Sequence, residues 1–556
     1  MDSKVSALEE ARAGYAPRVP AVLLETPESL VLEEGQPTSA VRDEAAIRER
    51  FPRTFGRPPV KLAGGTGAAE RRPLAIGVVL SGGQAPGGHN VIAGLSDALE
   101  KIHPDSRLFG FLRGPKGIFT GRYRELTREA IRPYRNTGGF DMIGGGRDKI
   151  ETEEQFEACR ATCEDLGLDG LVVIGGDDSN TNAALLAEFF VRNEVRTSVV
   201  GVPKTIDGDI RGQGVEMSFG FDTATKVYSE LIGNICRDAR SAKKYWHFIK
   251  LMGRNASHVA LECALQTRPN IVLIGEEAKA KNLTLSQIVD GVAEVVRRRA
   301  EAGRNYGVCL VPEGLIEFIP EIRDLIAELN QILSQHAKYL ETVRLFSDKQ
   351  EFVNQKLSKD ASYVFSGLPI RIQQQLLLER DAHGNVQVSR IDTEAMLVEN
   401  VEERIAQWTI EERFPGRFQV QHHFFGYEGR CSAPSNFDAD YTYGLGRLAT
   451  LLVAFGKTGY ICALQNLASP PAEWSAAAIP LTSMMQMETR SGKPTPVIGK
   501  ALVRTDGAPF RTLAEARDHW AVEDCYRYPG AVQYYGPDEV CKRPPMSLLL
   551  EAGAEV

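Results

Sequence analysis

Short apolar runs alternate with amphipathic stretches through most of the chain. Residues 74–81 form one such run, ending in glycines, which predicts a buried strand entering a loop. Runs at 107–112, 171–175 (LVVIG), 197–202 (TSVVGV), 245–251 (YWHFIKL), 270–275 (NIVLIG), 306–311 (YGVCLV) and 459–464 predict further strands, and FQVQHHFFG at 418–426 reads the same way. Helices are predicted between them, at 180–193, 222–237, 257–267, 284–302 and 438–455. This alternation predicts parallel sheets wrapped by helices. Residues 320–415 read as mostly helical and charged, an insertion, and no fixed-period repeat is found. Residues 1–70 carry Pro17, Pro20, Pro27, Pro37, Pro58 and Pro59, then Gly64, Gly65 and Gly67, and read as an extension or linker.

Composition narrows the function classes. Over 556 residues, 65 Lys and Arg stand against 73 Asp and Glu, a formal charge of −8, which argues against a general binder of nucleic-acid phosphates. Hydrophobic content of 43% and charged content of 25% are those of a folded globular chain. No apolar run approaches the roughly 18 residues that a membrane-spanning helix needs. The first twenty residues hold early acidic side chains and no apolar core, against a secretory signal. Nine cysteines, scattered up to Cys541 without a CxxC pair, read as reduced thiols and predict residence in the cytoplasm. Among nine histidines only His422 and His423 are adjacent and none shows HxxxH spacing, so no zinc site is expected.

Three loops at predicted strand ends hold the candidate chemistry. The first, SGGQAPGGHN at 81–90, is followed by a helix, and its glycines let backbone N–H groups approach an anion. Gly88 and His89 stand where a Walker A loop needs Lys and Ser or Thr, so it is not that motif. The second, GGDDSN at 175–180, offers Asp177 and Asp178, which suit Mg²⁺ or, read alone, an Asp/Ser helix cap. The third, PKTIDGD at 203–209, sets Asp207 and Asp209 two apart, on one side of an extended segment, with Lys204 beside them. One such carboxylate can take a proton from a sugar hydroxyl. Further on come Lys244 and Tyr245, the stretch Met252, Gly253, Arg254 and Asn255, then Glu313, and Tyr427, Glu428, Gly429 and Arg430, where Arg forks suit phosphate.

Taken in order, SGGQAPGGHN, GGDDSNTNA, PKTIDGD, KLMGRNASH, PEG and YEGR resemble the phosphofructokinase superfamily, and within it the long, plant-type, pyrophosphate-dependent members of the catalytic beta kind. The resemblance covers about 74–470, more weakly to 510. It implies an α/β fold of two Rossmann-like three-layer domains with the active site between them, a mostly helical insertion and an N-terminal extension. Chain order assigns 71–220 plus 430–470 to a diphosphate and Mg²⁺ domain, and 221–429 plus 471–556, with the insertion at about 320–415, to a fructose-phosphate domain.

The activity implied is reversible, Mg²⁺-dependent transfer of a phosphoryl group from diphosphate to the 1-hydroxyl of D-fructose 6-phosphate. Carried over by motif, Gly83 donates a backbone N–H to diphosphate, Asp177 holds Mg²⁺, and Asp207 is the general base, with Asp209 beside it. Asp178 stands where ATP-dependent relatives usually read GGDGS, and Lys204 and Asp209 belong to PKTIDGD where they usually read GTIDND. Asp178 would take the place and charge of a nucleotide α-phosphate, and Lys204 would neutralise the small donor. Thr205, Ile206 and Asp207, then Met252, Gly253, Arg254, Glu313 and Tyr427–Arg430, would hold the sugar phosphate, with Lys244 and Tyr245 reaching in from a neighbouring subunit. A homodimer or higher oligomer is implied, with room for a regulatory alpha-type subunit, and neither nucleic acid nor membrane is a partner. An ATP-dependent 6-phosphofructokinase and a non-catalytic regulatory subunit are the alternatives. Asp178 and Lys204 disfavour the first, and intact Asp177, Asp207 and Asp209 disfavour the second.

Overall fold

A computed structural model describes residues 7–67, 71–378, 386, 390–490, 493–532 and 542–555; Cys541 lies outside them. The apolar runs become strands buried on both faces. In Ala75–Ser81 every position after the first is buried, and in Gly170–Gly175 and Ser198–Pro203 all are. A parallel sheet covered by helices demands this, and it explains why these runs lack an in-and-out alternation.

In chain order the strands are β1 (Leu30–Glu34), β2 (Val60–Gly64), β3 (Ala75–Ser81), β4 (Arg107–Phe111), β5 (Tyr123–Glu125), β6 (Gly145–Gly146), β7 (Gly170–Gly175) and β8 (Ser198–Pro203). They continue as β9 (Trp246–Leu251), β10 (Ile271–Val272), β11 (Gly307–Pro312), β12 (Val420–Phe425), β13 (Tyr460–Gln465), β14 (Ser475–Pro480), β15 (Met485–Arg490) and β16 (Lys493–Ile498). The described residues divide into two units. Unit 1 is drawn from Met1–Val227, Tyr427–Ala501 and Val532–Ala552, and unit 2 from Tyr228–Gly426, Leu502–Ala531 and Gly553–Val556.

Unit 1 is built on a mixed sheet in the order β1-β2-β14-β13-β8-β7-β3-β4-β5, with β6 paired to β3. Its centre, β13-β8-β7-β3-β4, is parallel, and the flanking pairs are antiparallel. Helices Gly88–Ile102 and Asn436–Ala454 cross closely: a Cβ on Gly94 would sit 2.2 Å from Tyr443 O, and one on Gly446 2.1 Å from Val91 O. Only residues without a side chain fit that crossing. Unit 2 holds the all-parallel sheet β10-β11-β9-β12.

The expected helical insertion is helical, and it forms part of the core of unit 2. Ile322, Leu325 and Leu329 of Pro320–Gln335, Phe365 of Lys359–Gly367, and Leu397 and Val401 of Thr393–Ile410 share one apolar cluster with Trp246, Phe248, Cys309 and Val311 of the sheet.

The structure departs from the sequence reading in several places, and residues 221–227 and 427–429, assigned to the second domain, fall in unit 1. Residues 30–34 and 60–64, read as extension or linker, are strands of the unit 1 sheet, with Leu30, Val60 and Leu62 buried. Residues 475–498, assigned to the second domain, form β14 to β16 in unit 1, because β14 pairs with both β13 and β2. The strand expected over 270–275 is confined to Ile271–Val272, since helix Gly275–Ala280 starts where Phe318 packs so tightly that a Cβ on Gly275 would meet its ring at 2.4 Å.

Candidate active site

In unit 1, β3, β7 and β8 are consecutive and parallel, so the loops that follow them gather at one edge of the sheet. Open α/β sheets take their ligands there. The loop after β3 has Gly82 at φ +85, where a Cβ would sit 3.0 Å from Lys204 Nζ. A Cβ on Gly83 would sit 1.6 Å from Arg430 Nη2, and Arg430 Nε donates to Gln84 O at 3.1 Å. The two glycines therefore leave the room that two cations occupy. Cross-ties fix the edge: Ser179 Oγ donates to Ser81 Oγ at 2.8 Å, Asn180 Nδ2 to Gly175 O at 2.6 Å, and Lys204 N to Gly175 O at 3.0 Å.

Asp177 and Asp178 open the helix Asp177–Arg192, whose cap position is Gly176 with no side-chain cap, so neither carboxylate serves as the cap. Each faces a lysine. Asp178 Oδ1 lies 3.6 Å from Lys149 Nζ, and Asp177 Oδ2 lies 3.8 Å from Lys500 Nζ. Lys204 is buried, and burial pulls its ammonium down to about 8, helped by the charges of Arg430 and Arg147 and opposed by Asp207 and Asp177. These residues thus feel one another's field.

The segment after β8 is a turn rather than the extended stretch expected from the two-residue spacing of its aspartates, because Gly208 adopts φ +71. Asp207 is half-buried and its N–H donates to Thr205 Oγ1 at 3.1 Å, while Ile206 and Asp209 are buried. Tyr427, Glu428, Gly429 and Arg430 form one turn of helix in unit 1, with the Arg430 guanidinium 5.6 Å from the centre of the Tyr427 ring.

Unit 2 supplies a second cluster. Met252, Gly253 and Arg254 follow β9 and Glu313 follows the neighbouring β11. Gly253, at φ +139, donates its N–H to Glu313 Oε2 at 3.0 Å, and Glu313 is buried. A Cβ on Gly314 would sit 1.9 Å from Arg254 O, so the two strand-end loops touch backbone to backbone. Thr393 Oγ1, at the start of an insertion helix, donates to Glu313 O at 3.2 Å. Arg254 is exposed. Lys244 and Tyr245 precede β9, a strand's length, about 20 Å, from Met252–Arg254. The chain does not bring its own copies of these two groups together.

A protein-family model described as Phosphofructokinase matches residues 75–351. A protein of Porphyromonas gingivalis named pyrophosphate–fructose 6-phosphate 1-phosphotransferase is 54% identical over 98% of this chain and 99% of its own length. The chain belongs to the phosphofructokinase family. Within that family it is also similar to the beta 2 subunit of the enzyme of the same name in Arabidopsis thaliana, 49% identical over all of this chain and 95% of that one. Among solved structures, a pyrophosphate-dependent phosphofructokinase from Marinobacter aquaeolei shares the fold, with a TM-score of 0.53 at 15% identity, over 82% of this chain and 93% of that one.

Three cations of this family member's strand-end cluster escape the motif reading: Arg147, Lys149 and Lys500. For the first two a signal was present, since Gly144, Gly145 and Gly146 form a further glycine run, and β6 pairs beside β3 with Gly82 N donating to Gly146 O at 2.7 Å. Lys500 reaches the cluster only through tertiary structure.

Proposed function

We propose that this chain catalyses reversible phosphoryl transfer from diphosphate to the 1-hydroxyl of D-fructose 6-phosphate, giving fructose 1,6-bisphosphate and phosphate. One observation carries the choice of donor: the buried Lys204 and the carboxylate of Asp178 follow neighbouring strands, beside a loop whose glycines leave room for Lys204 and Arg430. A small, highly charged donor gains from concentrated cations, whereas Asp178 repels the longer phosphate chain of a nucleotide. Relatives about half identical over nearly their full length carry the same activity in their names.

The chemistry asks for position and charge more than for covalent catalysis. Asp207 takes the proton of the 1-hydroxyl as its oxygen bonds to phosphorus; the bridging P–O bond breaks and phosphate leaves with charge that Lys204 and Arg430 neutralise. Gly83 offers its backbone N–H to the diphosphate, and Asp209, two residues beyond Asp207, is buried. Thr205, Ile206, Met252, Gly253, Arg254, Glu313 and Tyr427–Arg430 hold the sugar phosphate. Asp177 suits Mg²⁺, which prefers one or two carboxylates and completes its shell with phosphate oxygens. Among the described residues no three His, Cys, Asp or Glu side chains form a ready-made metal cage. When bound, Mg²⁺ supplies charge neutralisation on the donor.

The working form is a homodimer or higher oligomer in which Lys244 and Tyr245 serve a partner's sugar-phosphate site; their distance from Met252–Arg254 along β9 supports this. The assembly leaves room for an alpha-type subunit, a reading supported by the likeness of this chain to a subunit of that kind in Arabidopsis thaliana, 41% identical. We assign the chain to the cytoplasm, supported by the buried cysteines Cys159, Cys163, Cys236, Cys263, Cys309 and Cys462, none of which is in a disulfide. No described helix is long and apolar enough to cross a membrane.

The test measures fructose 1,6-bisphosphate formation with Mg²⁺ and either diphosphate or ATP. Turnover with diphosphate alone is expected, and Asp207→Ser should lower kcat by at least about 10²-fold, as loss of a general base does, with an unchanged melting temperature. Equal turnover with ATP would remove the donor roles of Asp178 and Lys204.

A further inference from the structure

The hairpin β15–β16 lies in unit 1, and the backbone just after it is tied to the catalytic edge. Ile498 N donates to Thr181 Oγ1 at 3.0 Å, and Thr181 Oγ1 in turn donates to Asp177 O at 2.9 Å. Gly499 N donates to Met484 O, and Ala501 N donates to Asp209 O, both at 2.8 Å. One segment therefore holds both the helix that begins at Asp177 and the turn that carries Asp207 and Asp209. Lys500 stands in the middle of it, half-buried, with Nζ 3.8 Å from Asp177 Oδ2.

A lysine so placed differs from an ordinary surface lysine in one respect. Its backbone is held on both sides, by Ile498 N on Thr181 Oγ1 and by Ala501 N on Asp209 O, to residues of the cluster. An ordinary exposed pair with a carboxylate at this distance contributes little. A tethered ammonium facing the strand ends is worth more against an anion that carries several negative charges and displaces water as it binds.

We propose that Lys500 is a further diphosphate-binding residue, supplied by the segment after the hairpin, that contacts the donor's phosphate oxygens and leaves the sugar phosphate to other residues. The inference rests on the donor reading above and extends its cation set beyond Lys204 and Arg430. In the free protein the ammonium balances Asp177, and on donor binding it swings from the carboxylate to the phosphate.

The test compares Lys500→Met, which keeps the stem and removes the charge, and Lys500→Arg with the unaltered chain. Three readouts are needed: diphosphate binding by calorimetry with Mg²⁺, KM for each substrate, and thermal melting. Lys500→Met should weaken diphosphate binding and raise its KM about tenfold, the value of one charge-assisted hydrogen bond, with KM for fructose 6-phosphate within about twofold of the original. Lys500→Arg should recover most of the loss. Unchanged diphosphate binding in Lys500→Met would overturn the proposal, as would an equal rise in both KM values or a lowered melting temperature that Lys500→Arg does not correct. Failure of the donor reading shows separately, as an unaltered chain that neither binds nor uses diphosphate.

Discussion

At Lys204 the chain keeps a cation where burial works against it. Desolvation, with Arg430 and Arg147 nearby, lowers its pKa from 10.5 to about 8, so near neutral pH the ammonium is retained but only just. Binding of diphosphate requires the protonated form. We therefore expect kcat/KM for diphosphate to fall as pH rises through about 8, a limb that reports the free enzyme. Stability responds in the opposite sense. With the unfolded side chain titrating near 10.5, the unfolded state binds more protons between about 8 and 10.5, and this residue's penalty on folding is relieved as pH climbs through that window. Falling activity alongside steady or rising stability separates loss of the ammonium from alkaline unfolding. In Lys204→Arg, which stays charged throughout, the alkaline limb should move beyond pH 9, and a limb that stayed put would assign it to another group.

Among the elements, what the sequence made legible was whatever depends on neighbours in the chain. β3, β7, β8, β9 and β11 are apolar runs because both faces are covered, and the glycine signals of the loops after β3 and β9 record local crowding, by Lys204 and Arg430 at one and by Gly253 turning at the other. β1 and β2 were not legible: their burial falls off along the strand or is interrupted, as suits an outer antiparallel pair, and prolines surround them. β14 is a short alanine-rich stretch that becomes a strand only because β13 and β2 flank it. The turn at 205–209 and the placement of Lys500 beside Asp177 are likewise tertiary facts. Gly314 tests the reading of the loop pair in unit 2. A methyl there would sit 1.9 Å from Arg254 O, backbone that cannot rotate away as a side chain can. Gly314→Ala should cost about 1–3 kcal/mol of stability in a denaturant titration and raise KM for fructose 6-phosphate as Arg254 shifts. An unchanged midpoint and KM would show that the two loops do not depend on that contact.

For the molecule as a whole, the first 67 residues decide whether unit 1 has an appended tail or a built-in edge. β2 pairs with β14 and β1 with β2, so removing both would bare β14 as a new open edge. The segment also serves buried polar groups. Glu188 accepts from Arg53 N, Thr54 N and Thr54 Oγ1, and Asp440, almost wholly buried, accepts from Tyr15 OH and Arg18 N, each at 2.8 Å. Asn136 donates to Arg12 O and Tyr15 O. A buried carboxylate left without its donors costs several kcal/mol, a large part of the stability of an ordinary domain, and here two would be left at once. Deleting residues 1–67 should therefore abolish the cooperative thermal transition and shift the chain to aggregates on gel filtration, although none of the residues assigned to chemistry is removed. A removable linker would instead leave a soluble chain with the original melting temperature and donor preference, and that result would return β1 and β2 to the status of an accessory.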